Sequence, residues 1–472
     1  MKRPLLPIVI LTLGLGGCAS MAPKYERPAS PVPAALTSSA ALQPAAPPAP
    51  AAKPMADIPW RDFFVDPRLQ KLIELALESN RDLRIAALNI ERFRALYDIR
   101  RSDLFPRVDA SASATIQRVP EDLTSSGKAS NTAQYLVGLG ISSYEVDLFG
   151  RVASLKEQAL EQYLATEQAR RSVQISLISQ VAAAYLTLAA DRERLQLARE
   201  TQVNQQESYR LTKNRFEAGI SSALDLNQAQ SSVDAARVDI ARYTTLVAQD
   251  ENALSLVVGS TLPPGLLPTS LSTSATALKD VQPGVSSDVL LGRPDILQAE
   301  GELKSANANI GAARAAFFPR ITLVSAVGVG SDELTGLFKA GSFAWSFAPR
   351  ITLPIFDAGS NRANLAVAEA DRNLAVARYE KSIQIAFREV ADALAQRGTI
   401  DEQLAAQSSL VDAATESHRL SVARYDKGVD SYLQVLDAQR SLYAAQQGVI
   451  GVRLARLANQ VTLYRVLGGG TK

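Results

Sequence analysis

Apolar and polar positions alternate along four short stretches of the chain. In residues 108–117, Val108, Ala110, Ala112, Ala114 and Ile116 take one parity, and Asp109, Ser111, Ser113, Thr115 and Gln117 take the other. Strand side chains point to opposite faces in turn, so this predicts a strand with one apolar and one polar face. Residues 343–353 set Phe343, Trp345, Phe347, Ile351 and Leu353 against Ala344, Ser346, Ala348, Arg350 and Thr352. Residues 321–330 are similar. In 135–148, Val137, Leu139 and Ile141 hand over to Tyr144, Val146 and Leu148 on the opposite parity, which predicts a bulge near Ser142 and Ser143. Each run is about the length of a transmembrane β-strand, ~9–11 residues. Membrane barrels start at about eight strands and lipid does not tolerate an open sheet edge, so four strands would have to close with those of other protomers. The count admits a dimer or a trimer. A soluble four-stranded sheet is the plainer alternative.

Elsewhere the pattern is helical. Residues 152–218 and 220–258 contain neither Gly nor Pro, and the first run predicts a helix on the order of 100 Å long at ~1.5 Å per residue. Around its middle, Leu177, Val181, Ala184 and Leu188 form one stripe and Ile178, Ala182 and Tyr185 a neighbouring one, leaving Gln180, Arg192 and Glu193 to face water. Two stripes suit a stave with a neighbour on each side, whereas a two-stranded coiled coil needs one. Shorter helices are predicted over 69–102 and 294–316, each ending at a Phe-Pro signal because the residue before Pro is pushed out of the α region.

Comparing the chain with itself shows why these elements come in pairs. Glu207-Ser208-Tyr209-Arg210-Leu211 and Arg215-Phe216-Glu217-Ala218-Gly219-Ile220 recur, 209 residues later and without a gap, as Glu416-Ser417-His418-Arg419-Leu420 and Arg424-Tyr425-Asp426-Lys427-Gly428-Val429. Leu104-Phe105-Pro106-Arg107-Val108 recurs as Phe317-Phe318-Pro319-Arg320-Ile321. The chain reads as a tandem duplication of a unit of about 210 residues. The first unit spans 57–258, with strands near 107–118 and 134–148 and a hairpin tip near 219. A connector follows over 259–292. The second unit spans 293–472, with strands near 320–331 and 342–355 and a tip near 428.

The amino terminus reads as an address. Lys2 and Arg3 precede a short apolar stretch ending in Leu15-Gly16-Gly17-Cys18, too short to span a membrane. Residues 1–17 are the expected signal peptide. The stretch resembles a bacterial lipobox, which implies cleavage before Cys18 and a covalent lipid on its thiol. The next residue is Ala19 rather than Asp, which by the same resemblance points to the outer membrane. Residues 28–56 are rich in Pro, Ala and Ser with Lys53 as their one charge; such composition is extended and cannot pack, so 18–56 is expected to be an anchor and tether.

Composition narrows the chemistry. Removing Lys2 and Arg3 from the 50 basic residues leaves 48 against 48 acidic ones, so no nucleic-acid partner is implied. Cys18 is the one cysteine and His418 the one histidine, which excludes disulfide frameworks, cysteine metal clusters and the commonest catalytic triads. The acidic residues lie mostly at helical spacing beside Arg and Lys, as on a solvated helix face. No enzyme activity, metal or cofactor is expected apart from the Cys18 lipid.

Several motifs together resemble the lipoprotein (NodT-type) branch of the TolC/OprM family of outer-membrane efflux ducts, over nearly the whole mature sequence. They are Trp60-Arg61-Asp62-Phe63-Phe64-Val65-Asp66-Pro67, Tyr144-Glu145-Val146-Asp147-Leu148-Phe149-Gly150-Arg151, residues 283–296 with Gly292-Arg293-Pro294-Asp295, and the two Arg-x-x-x-Gly-x-x-Ser turns. The resemblance implies a mixed α and β membrane protein. It would be a homotrimer with a twelve-stranded β-barrel, continued by a twelve-helix periplasmic α-barrel and an equatorial belt. It further implies a passive exit channel of a tripartite multidrug pump, partnered by a periplasmic adaptor (membrane fusion protein), an inner-membrane RND-type pump and outer-membrane lipid. The tips, with Arg215, Gly219, Ser222, Arg424, Gly428 and Ser431, would contact the adaptor. Leu433 and Asp437, four residues apart on one helix face, match positions where the family narrows its tunnel; the first repeat has Gln228 in place of Asp437, and Asp225 is a weaker candidate. Polypeptide secretion is an alternative within the same architecture. A periplasm-spanning structural lipoprotein and a lipid-anchored enzyme are further alternatives, the first opposed by the alternating strands and the second by the absence of any catalytic constellation.

Overall fold

Alternation carries directly into strands. In the computed structural model, which describes residues 20–33, 57–125, 127–271 and 287–470, β1 (Val108–Val119), β2 (Ser130–Val146), β3 (Arg320–Ser331) and β4 (Phe343–Thr352) form one antiparallel sheet in the order β1-β2-β3-β4. Residues 1–17, Cys18, the tether region 34–56 and connector residues 272–286 lie outside the described residues. The helices are α1 (Trp60–Phe63), α2 (Pro67–Ser79), α3 (Arg81–Ser102), α4 (Arg151–Glu217), α5 (Ala223–Val258), α6 (Pro294–Ala315), α7 (Ser360–Asp426) and α8 (Tyr432–Val466). Residues sort into two units. One holds Met1–Ala29, Asn89–Glu167 and Gln298–Tyr379, and the other Ser30–Leu88, Gln168–Leu297 and Glu380–Lys472.

The sheet belongs to the first unit. Its register aligns the apolar parity of all four strands, so Ala110, Leu139, Val327 and Trp345 follow one another across one face. That face is bare: Trp345 is 72% exposed and Phe347 61%. Between Ile141 and Tyr144 the register shifts, with three steps on β2 against two on β3 (Ser325 to Leu323). The bulge sits where the change of parity placed it, and it keeps Tyr144 and Val146 on the apolar face. The opposite face is lined by small residues because the backbones crowd there. Gly138 lies opposite Gly328, and a Cβ on Gly328 would come within 2.2 Å of the Val137 carbonyl oxygen.

The second unit is helical. The helix expected over 69–102 is interrupted at Asn80, whose backbone is extended (φ −65°, ψ 134°). Its carboxamide oxygen caps α3 by accepting from the Leu83 amide at 2.9 Å, and its amide nitrogen donates to the Val257 carbonyl at 2.7 Å. The polar side chain thus replaces the backbone bonds that the break removes. Trp60, Phe63 and Phe64 are buried, and Phe63 stacks on Tyr464 with ring centroids 4.0 Å apart. In α4 both expected stripes are buried at Leu177, Ile178, Val181, Ala182, Tyr185 and Leu188, while Gln180 is exposed. Arg192 and Glu193 depart from the expectation. Both are half-buried: Arg192 donates to the Pro268 carbonyl at 2.7 Å and to Glu251 at 2.6 Å, and Glu193 accepts from the Leu271 amide at 3.0 Å. They clasp the start of the connector instead of facing water.

The Gly292-Arg293-Pro294-Asp295 stretch has a structural use in this unit. Arg293 is 7% exposed and donates to Asp295 (2.7 and 3.0 Å), to Glu389 of α7 (3.0 Å) and to the Val466 carbonyl of α8 (2.9 Å). Arg465 lies 3.5 Å from Glu389, so two cations balance two carboxylates. Breaking a buried pair by removing one partner costs about 3–5 kcal/mol, and Arg293→Ala is expected to lose an amount in that range, read by denaturant unfolding.

The carboxyl of Asp250 in α5 lies beside that of Asp191 in α4, which Arg194 holds at 2.6 Å. Burial, and then the Asp191 charge, push Asp250 up to about 6. A carboxyl raised on folding binds its proton more tightly in the folded chain, so stability falls as pH rises from about 4 to about 6. Asp250→Asn is expected to remove that slope and to raise the melting temperature at pH 7.5 relative to the parent, measured in matched scans at pH 4.5 and 7.5.

Candidate functional site: the paired hairpin tips

Two helical hairpins of the second unit end in the same turn, for the same local reason. After α4, Gly219 has φ 72°, its amide donates to the Phe216 carbonyl, and the Ile220 amide reaches back to Arg215 at 2.8 Å. After α7, Gly428 has φ 71°, with Gly428 donating to Tyr425 and Val429 to Arg424 at 3.0 Å. Both are Schellman closures, which need a residue that accepts positive φ.

The tips differ in how they are held. Ser222 caps α5 in a reciprocal box: its hydroxyl accepts from the Asp225 amide at 3.1 Å, and Asp225 accepts from the Ser222 amide at 3.1 Å and hydroxyl at 2.9 Å. Asp225, the weaker gate candidate, is thereby committed to the cap. Ser431 caps α8 with no side-chain bond, and Gln434 stands where the first repeat has Asp225. There Arg424 grips Asp430 in a fork, at 2.5 and 3.0 Å, and holds that carboxyl below the usual carboxylate range.

Arg215 is the first-repeat counterpart of Arg424, but Ser221 stands in the place of Asp430. With no acid at that position, Arg215 reaches the other hairpin, donating to Asp426 at 3.1 Å and lying 4.8 Å above the ring of Tyr425. Beneath this latch Ala229, Tyr432, Val435 and Leu436 form an apolar cluster flanked by Tyr209, Val422 and Tyr425. Along α5 and α8 the joint continues as Tyr443 to Asp239 (2.9 Å) and Tyr243 to Gln447 (3.2 Å), a parallel ladder. Leu433, 45% exposed, and Asp437 lie on the uncovered side of α8, and Arg440 at 3.9 Å is the nearest cation to Asp437. The partners Tyr425, Asp426 and Asp430 were not singled out in the sequence, although the Ser221-to-Asp430 difference between repeats signals the divergence.

The sequence model of the outer membrane efflux protein family matches residues 72–260 and 285–469. The chain belongs to this family. As an outer membrane efflux protein it is 49% identical over 470 residues to the toluene efflux pump outer membrane protein TtgC of Pseudomonas putida, covering 100% of this chain and 96% of the relative. Identity to the antibiotic efflux pump outer membrane protein ArpC of Pseudomonas putida is also 49% over 470 residues, with the same coverage. Among solved structures, the open state of the MtrE outer membrane channel of Neisseria gonorrhoeae aligns with a TM-score of 0.85 at 40% identity, covering 96% of this chain and 99% of that one.

In this outer membrane efflux protein the latch between hairpins is an exposed ion pair worth about 0.2–1 kcal/mol plus a cation–π contact worth about 0.5–1 kcal/mol. A double-mutant cycle of Arg215→Ala with Asp426→Ala is expected to give a coupling of about 0.2–1 kcal/mol at low salt, measured by thermal unfolding, and less at 1 M salt.

Proposed function

We propose that the chain is one protomer of a homotrimeric, passive outer-membrane exit duct, serving a tripartite pump that expels antibiotics, solvents or other small toxic compounds. One observation carries this reading: among the described residues, a four-stranded open sheet whose apolar face is bare and whose outer strands β1 and β4 each keep one unpaired edge. Lipid cannot hydrogen-bond those edges. Three such sheets make a closed barrel of twelve strands, and the family resemblance favours three over two. Cys18, carrying its lipid, would anchor the protomer. The tips at Gly219 and Gly428 would meet a periplasmic adaptor, itself engaged by an RND-type inner-membrane pump. The names of TtgC and ArpC, toluene and antibiotic pump components, support small-molecule cargo.

Around a threefold axis, Leu433 and Asp437 would form an apolar ring and an acidic ring. Three carboxylates on one axis repel one another and attract cations, while the latches and the apolar cluster hold the tips closed. The reading is tested in planar bilayers. The purified protein is expected to conduct weakly and to favour cations, and Asp437→Ala combined with Arg215→Ala to raise conductance several-fold while lowering cation preference. A trimer that never conducts, even with both substitutions, would defeat the duct.

A further inference from the structure

The segment just after Cys18 is docked in the first unit instead of hanging as a tether. Ser20 and Ser154 of α4 bring their hydroxyls within 3.1 Å. Arg314 of α6 donates to the Met21 carbonyl at 3.3 Å, and Asn307 to the Pro23 carbonyl at 2.7 Å. Tyr25 donates to Glu300 at 3.1 Å, and Arg27 forks onto the same carboxylate at 2.6 and 3.2 Å. As strap numbers rise, helix numbers fall, so the segment runs antiparallel to α6. The lengths agree: six extended steps from Met21 to Arg27 cover about 20 Å, and fourteen helical steps from Glu300 to Arg314 cover about 21 Å.

Two features mark a built seat. Glu300 is 4% exposed, with Lys304 at 3.6 Å as its other cation, and Lys304 also lies 5.3 Å from the Tyr25 ring centroid. A buried carboxylate needs such partners, and the strap supplies most of them. At Gly311 a Cβ would come within 2.5 Å of the Ser154 hydroxyl of α4 and 2.6 Å of the Ala22 amide nitrogen, so the helix leaves a side chain out where both α4 and the strap approach it.

We propose that residues 20–27 are a clamped strap, locked on Glu300, that delivers the acylated end of the chain to the foot of the β2–β3 pair and binds it to the lipid surface there. The proposal rests on the reading that Cys18 is acylated. Cys18 is two residues from Ser20, at most about 7 Å of chain. Ser20 sits at the first turn of α4, which follows β2, and Met21 near the end of α6, which precedes β3. Lipid anchor and sheet are therefore held at one depth, and Glu300 sets that depth.

The test uses the full-length chain in its native membranes. Cys18 is the one cysteine, and acylation blocks its thiol, so Ser20→Cys with Ser154→Cys introduces the one free pair. Under mild oxidation this pair is expected to close, leaving no thiol for a maleimide–polyethylene glycol tag after denaturation. With Glu300→Leu, and separately with Tyr25→Phe plus Arg27→Gln, which leave the helix unaltered, closure is expected to slow by about tenfold or to be lost. An open pair in the otherwise native chain, or equal closure rates in all three backgrounds, overturns the strap. A third tagged thiol after reduction overturns the acylation of Cys18 instead, and the disulfide rates still read the docking.

Discussion

The constraint on which everything else depends is the backbone at the outer edges of β1 and β4, which no strand among the described residues pairs. A sheet that turns Trp345 and Phe347 outward is suited to hydrocarbon, and hydrocarbon offers nothing to a free amide or carbonyl. Sequence register, the bulge after Ile141 and the Gly138–Gly328 crowding all serve a sheet with one continuous apolar face. The same constraint fits the small number of strands among the described residues. In the proposed trimer, closure would fall to copies of the chain, and most of the other described residues go into helices.

Those helices follow a different economy. Two stripes on α4 are buried, and polar side chains are kept where a segment must be joined or stopped. Asn80 stops one helix, starts the next and ties to Val257. Arg293 ties α6, α7 and α8 through a balanced set of charges. Asp250 is the exception, a carboxyl placed against another acid.

Period was the most legible signal. Two-residue alternation gave the strands and even the bulge, because one inserted residue flips the parity and no other event does so as simply. The Gly-free runs gave the long helices, and self-comparison gave the paired turns. What stayed hidden depends on partners distant in sequence. Arg192 and Glu193 look like solvent-facing residues on a helical wheel, because the wheel does not contain Pro268 or Leu271. Asp225 looks like a free acid until the cap it completes with Ser222 is seen. Residues 20–27 adjoin a Pro-rich stretch, but Lys24, Tyr25, Glu26 and Arg27 set them apart from it, and Glu300, the partner of Tyr25 and Arg27, lies more than 270 positions away.

The two tip arginines began as copies and now have different neighbours: Arg424 is held within its own turn, and Arg215 crosses to the second hairpin. A chain assembled from two copies of the second half would hold both arginines locally and lose the ion pair that crosses between its hairpins above the apolar cluster. The halves have become complementary parts, so the duplication can no longer be undone by exchanging one for the other.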